Sequence, residues 1–316
     1  MAKKKKLPQI VKDIRAYKPE EINYAYQKNI SYSQLSMYRS CPHKWALQYK
    51  DGNKFFSSTI HTVFGTALHT VIQHYLDVMY DKSAAAADRE DTVAMFKEAL
   101  REEYKVQYKK NNNSHFSSSE ELREFFEDGC EIIKTFKAKR GGYFSKKGWY
   151  LVGCEVPIVV TPNNRYNNVK YMGYLDVVMY HEPTKAFKII DIKTSTRGWN
   201  DKVKKDEDKQ FQLILYKQFL SDQFNIPLEN ISVEFFILKR KVYEHPDYVI
   251  PRIQTFTPAS GKVKLNKANK ALNEFIEEAF NKEGYKDKDY SPTPSKWDCT
   301  FCSFRDMPKL CSKSIK

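Results

Sequence analysis

"FKIIDIKTST", residues 187–196, starts as a buried β-strand and then carries charge. Phe187, Ile189 and Ile190 are residues that an interior strand favours, yet Asp191 and Lys193 follow at once. Side chains two apart on a strand share a face, so this acid and this lysine point the same way. A charge buried in an apolar layer must be paired, metal-bound or very costly. The pair therefore belongs either to an edge strand facing water or to a site that holds a metal ion and a catalytic amine. The strand alone leaves both readings open.

The β-pattern extends on both sides. "YLVGCEVPIVVT" (150–161) and "VKYMGYLDVVMYH" (169–181) precede it, separated by Asn-rich and Glu-Pro-Thr turns. A charged loop, 197–208, leads into "DKQFQLILYKQFL", whose Phe211, Leu215 and Phe219 lie on one helical stripe. "ISVEFFILKRK" (231–241) reads as a fourth strand, "DYVIPRIQTF" (247–256) as a fifth, and 259–281 as an amphipathic helix. Upstream, Ser33 is placed to cap a helix with Leu35 and Tyr38, and "FGTALHTVIQHYLDVMY" (64–80) shows a full helical stripe. Ser118 and Glu121 form a capping-box pattern for a helix running to about Lys139. The expectation is an α/β fold, a central mixed sheet flanked by helices. A basic arm spans 1–30 and a single domain spans 31–316, with a helical insert at 82–147 covering the sheet and a Cys-rich segment at 290–316.

Bulk properties narrow the partners. The chain has 316 residues, 41% hydrophobic and 14% aromatic, a globular composition. Its formal net charge of +14 favours a polyanion such as nucleic acid. No apolar run reaches the roughly 18 residues of a membrane span. The lysine-rich start has no apolar stretch of a secretory signal, so a cytoplasmic, reducing setting is expected, in a phage or prokaryote. There, clustered cysteines point to metal rather than disulfides. Cys299 and Cys302 have C-x-x-C spacing, Cys311 follows, and Cys41 stands far upstream, whereas Cys130 and Cys154 read as unligated buried thiols.

A second strand acid, Asp176, completes an oxygen-rich pocket with Asp191 that suits Mg²⁺ or Mn²⁺. Such a metal polarises a phosphodiester and acidifies bound water, with Lys193 stabilising charge on the phosphorane or orienting the water. Glu155 could face the same pocket and assist the metal, though a surface strand acid is the favoured reading, and the Lys202–Lys205 run reads as a solvated loop that could grip phosphates.

In this order, "GTALH", "GYLD", "IIDIKT" and "QLILY" resemble the motifs of the PD-(D/E)xK nuclease superfamily, in its RecB-like branch. That branch includes exonuclease V, the AddB nuclease domain and the CRISPR adaptation nucleases. The resemblance covers residues 31–316 and implies a restriction-endonuclease-like core with a helical cover. It implies His69, Asp176 and Asp191 as metal ligands, Lys193 as catalytic, and Gln212 and Tyr216 as the Q-x-x-x-Y pair near the scissile strand. It also implies a [4Fe–4S] cluster on Cys41, Cys299, Cys302 and Cys311, with Zn²⁺ as the alternative for four thiolates.

The expected function is a metal-dependent DNA exonuclease on single-stranded or end-containing DNA, in recombination, repair or replication. A structure-specific or nicking endonuclease is the enzymatic alternative, and a catalytically silent DNA-binding subunit is the other class. The sequence has no G-x-x-x-x-G-K-[ST] phosphate loop, so unwinding would come from a helicase or recombination partner.

Overall fold

The computed structural model describes all residues except 1–5, 54, 57, 244–246, 248, 249 and 316. In chain order the elements are α1 Gln9–Ala16, β1 Lys28–Ile30, α2 Tyr32–Ser40, α3 Pro42–Trp45, α4 Ile60–Asp81, α5 Ala84–Arg89, α6 Thr92–Lys110 and α7 Ser119–Lys139. There follow β2 Trp149–Val160, β3 Val169–His181, β4 Ala186–Ser195, α8 Asp201–Lys205, α9 Glu207–Phe224, β5 Ile231–Lys239 and β6 Ile253–Phe256. The chain closes with α10 Lys262–Ala279, β7 Phe280–Asn281, β8 Gly284–Tyr285 and α11 Lys296–Thr300. A π-helical turn, Ala46–Lys50, extends α3. Among the described residues no helix is long and apolar enough to cross a membrane. The chain divides into two compact units, one of residues 1–18, 58–156 and 174–260, the other of 19–57, 157–173 and 261–316.

In the first unit β3 and β4 form an antiparallel pair, with Val177 opposite Ile190 and His181 opposite Ala186. β4 then runs parallel to β5, from Phe187 beside Ile231 to Ser195 beside Lys239. β6 closes that edge antiparallel, and β2 pairs with β3. The sheet is therefore mixed, as the strand pattern predicts. Parallel strands need a long crossover, and α9 supplies it, packing on β4 and β5. The other cover comes from α4 to α7, whose Phe64, Leu68, Ile72, Phe96, Phe125 and Phe136 join one apolar core. Val177, Ile190, Ile192, Phe236 and Leu238 of the sheet enter the same core. Alternation sends Ile190 and Ile192 into this layer and leaves Asp191 and Lys193 for the opposite face.

Three local expectations change. Residues 9–16 of the basic arm are helical, with Val11 and Ile14 buried, because two apolar residues three apart give one short stripe. Arg15 fastens that helix, donating to the carbonyls of Leu151 at 2.8 Å and Val152 at 3.0 Å. The cap of α2 is Ser31, whose Oγ accepts from Gln34 N at 3.4 Å, and not Ser33. The fifth strand is short, Ile253–Phe256, and residues 248 and 249 of its predicted span lie outside the described residues, as do 1–5 of the arm. Ser118 does cap α7, accepting from Glu121 N at 3.1 Å.

In the second unit β1 pairs parallel with the start of β3, Lys28 beside Val169 and Ile30 beside Tyr171. Its core is aromatic, with Trp45 fully buried among Tyr38, Phe275, Phe280, Tyr285 and Tyr290 at centroid distances of 5.3 to 5.8 Å.

Candidate active centre

Five elements of the first unit converge on the centre. α4 brings His69, capped at its start by Thr59. One helical turn earlier stands Gly65, where an added β-carbon would lie 3.1 Å from Thr194 Oγ1. Only a residue this small lets α4 come so near β4, and His69 gains reach by it. β2 contributes Glu155, β3 Asp176, and β4 Asp191 and Lys193. α9 starts at the Asp206 cap and carries Gln212 and Tyr216 on one face.

His69 Nδ1 lies 3.6 Å from Asp176 Oδ2, and that oxygen also accepts from Ile192 N at 2.7 Å. The ligand atoms of His69, Glu155 and Asp176 all lie within 4.8 Å of one another. Asp191 is 1% exposed and its Oδ2 sits 2.8 Å from Lys193 Nζ. Among the described residues no donor reaches Asp191 Oδ1. Lys193 Nζ also donates to Gln212 Oε1 at 3.0 Å, and Gln212 Nε2 donates to Tyr216 OH at 3.3 Å. The residues singled out from sequence thus meet in one place, in two linked groups, a His–carboxylate cluster and an Asp191–Lys193–Gln212–Tyr216 chain.

The electrostatics follow from crowding acids in a dry site. Burial first, then the nearby Asp191, push the Asp176 carboxyl well above the usual carboxylate range. Burial pulls Lys193 down, but Asp191 and Asp176 outweigh it and hold the ammonium above its ordinary value. Burial also lowers His69, against the pull of Asp191, which favours the neutral imidazole that metals bind. Desolvation raises Tyr216, keeping its hydroxyl protonated. Clustered carboxylates, one with an orphaned buried oxygen, and a neutral imidazole beside them are a donor set that fits a divalent cation such as Mg²⁺ or Mn²⁺.

Glu155 joins this centre, although its place in a β-rich segment reads as a surface acid. Its backbone is left-handed, φ +51°, inside β2. That conformation turns the side chain out of the alternation on which the sequence reading depends. Gln73 was missed altogether: it hydrogen-bonds Glu155 Oε1 at 2.6 Å. Its spacing of four from His69, one turn along the same face, is the signal that could have found it. The Lys202–Lys205 run forms α8, capped by Asn200, with Lys204 4.0 Å from Asp201.

In the second unit Cys41, Cys299, Cys302 and Cys311 line one pocket, together with His43 and Lys44. Ser40 Oγ donates to Asp298 at 2.7 Å and Thr293 Oγ1 to the Ser40 carbonyl at 2.7 Å, which joins the C-terminal segment to the Cys41 turn. His43 faces the carbonyls of Tyr290 at 3.1 Å and Leu310 at 2.8 Å. Burial raises the Cys302 thiol, and Cys41 and Cys311 add to the rise. No three of these sulfurs close to within 4.8 Å of one another, since His69, Glu155 and Asp176 form the one such group among the described residues. Cys130 and Cys154 are free thiols outside this pocket.

Residues 29–307 match the model of the family described as the PD-(D/E)XK nuclease superfamily. A solved protein of Eubacterium rectale bearing the name "Putative exonuclease" is similar at 13% identity, over 83% of this chain and 85% of its own, with a TM-score of 0.46. No curated protein sequence matches the chain.

Proposed function

We propose that this chain, which belongs to the PD-(D/E)XK nuclease superfamily, is a divalent-metal-dependent deoxyribonuclease of the RecB-like type. Its substrate is single-stranded or end-containing DNA, and the preference for ends rests on the motif resemblance. The observation that carries the reading is Asp191, an almost fully buried carboxylate with one oxygen lacking a donor, aligned with a lysine and a His–carboxylate cluster. Structure alone gives such a group no stabilising purpose, because a buried ion pair costs about as much in desolvation as it returns.

His69, Glu155, Asp176 and Asp191 would hold Mg²⁺ or Mn²⁺. When bound, the ion supplies Lewis-acid polarisation of the phosphate and a water of lowered pKa. Lys193 stays protonated between its acids, so it meets the phosphate as a cation and not as a base. Gln212 fixes the direction of that ammonium through Nζ, and Tyr216 fixes Gln212. In hydrolysis the water oxygen would bond to phosphorus and release a proton to solvent, one ester P–O bond would break, and the leaving oxygen would take a proton from solvent.

A separate structural role falls to the four cysteines of the second unit, which we assign to a [4Fe–4S] cluster. What supports a shared metal group is that all four thiols line one pocket, and zinc is the alternative that four thiolates also suit. The cluster supplies crosslinking of distant chain segments.

End-labelled linear and closed-circular single-stranded DNA, each with Mg²⁺ or Mn²⁺, test the activity. Products from the linear strand alone are expected. Cut circles would make the protein an endonuclease, and no product from either would make it a binding subunit.

A further inference from the structure

Glu155 occupies φ +51° within β2, a region that a residue with a β-carbon enters at an energetic cost. Glutamate stands where glycine would fit without strain, and Glu155 is exposed, so apolar packing does not hold it there. A hydrogen-bonded clamp does. Gln73 is 8% exposed, and its side-chain nitrogen donates twice, to Glu155 Oε1 at 2.6 Å and to the Asp176 carbonyl at 3.0 Å. Both amide hydrogens are thereby committed, one to each of two neighbouring strands. The Gln73 carbonyl accepts from Cys154 Sγ at 3.7 Å, so the same helical turn is tied to the residue before Glu155 as well. His69 lies one turn earlier on α4, and the two side chains reach the same centre.

We propose that Gln73 is a positioning residue that anchors the Glu155 carboxylate beside His69 and Asp176. Holding Oε1 leaves Oε2 as the oxygen presented to a cation. The strained backbone at 155 is retained because it turns this carboxylate into the centre. The proposal rests on the metal site assigned above.

Mn²⁺ titration by calorimetry without DNA, with thermal melts in EDTA, tests it on four full-length proteins. Against wild type, Gln73→Met is expected to raise the Mn²⁺ dissociation constant roughly 10- to 100-fold, as when partners that orient metal ligands are lost. Its cleavage rate should return towards wild type at saturating Mn²⁺, because the residue acts through Glu155 and touches neither metal nor phosphate. Glu155→Ala and Glu155→Gly should both weaken Mn²⁺ binding, while the glycine variant melts higher than the alanine variant because only glycine relaxes at this φ. A wild-type dissociation constant in Gln73→Met overturns the clamp and leaves the nuclease reading standing. Should Gln73→Met fail to fold, unchanged Mn²⁺ affinity in the two Glu155 variants overturns it instead. Wild-type protein that binds no Mn²⁺ overturns this proposal and the metal site together.

Discussion

Gln212 Oε1 accepts from Lys193 Nζ at 3.0 Å, and the same amide donates to Tyr216 OH at 3.3 Å. The Q-x-x-x-Y pair therefore aims the lysine. Since Lys193 also binds Asp191 at 2.8 Å, removing Gln212 leaves the ammonium charged but free to turn. Gln212→Ala should lower kcat about 10- to 100-fold with little change in DNA affinity, by analogy with other orienting partners. Tyr216→Phe should lower it less, since the phenol acts on the lysine only through its hydrogen bond with Gln212. Single-turnover cleavage beside a DNA-binding titration separates the two effects.

Lys193→Ala and Asp191→Asn should each abolish cleavage while DNA binding persists, because affinity comes from scattered phosphate contacts. Their stabilities should diverge. Lys193→Ala leaves Asp191 and Asp176 without their cation, and losing one partner of a buried pair costs about 3 to 5 kcal/mol. Asp191→Asn removes a like charge from beside Asp176 and should cost less. Melting curves in EDTA check the order, and wild-type turnover by Lys193→Ala would sink the mechanism.

Asp176 sets a pH dependence. Its folded pKa lies above the unfolded value, raised by burial and then by Asp191. Its contribution therefore favours the folded state below the unfolded pKa and is lost as pH rises through the folded pKa. Metal-free protein should lose that increment towards neutral pH, and Mn²⁺ should offset the loss. The Mn²⁺-induced rise in Tm is thus expected to be larger at about pH 8 than at about pH 5.5, with proton release on binding. Ca²⁺ should raise Tm without supporting cleavage, given its looser coordination. Cleavage that continues unchanged in EDTA would remove the carboxylate–metal site.

Protein purified without oxygen should be brown, and Cys299→Ser should lose both colour and thermal stability. Cys41 and Cys311 close a loop of most of the chain, and closing a loop that long stabilises by a few kcal/mol on the disulfide analogy. Iron and sulfide assays check it. One equivalent of zinc in colourless protein would replace the cluster by zinc, and metal-free protein of normal stability would end the assignment.

The charged strand was legible because period-2 alternation is strict: Ile190 and Ile192 demand one face, so Asp191 and Lys193 must take the other. Spacing of four on a helix likewise put Gln212 beside Tyr216. Glu155 was legible only as the less favoured alternative, since a left-handed residue breaks the alternation and leaves no mark in residue type. α1 was hidden by lysines, its burial depending on Arg15 meeting carbonyls 136 and 137 residues away. Local pattern carries no information about such a partner.

That arginine has a further consequence. Among the described residues the sheet pairs β2 with β3, and Arg15 occupies the carbonyls of Leu151 and Val152 in β2. A bare strand rim is a template on which a second molecule can add its own strand. By occupying two carbonyls of β2, Arg15 of α1 would hinder such an addition. A chain starting at residue 19 should keep the centre's residues and yet precipitate or form β-linked oligomers, and Arg15→Ala should move partway towards that outcome, read by light scattering at rising concentration.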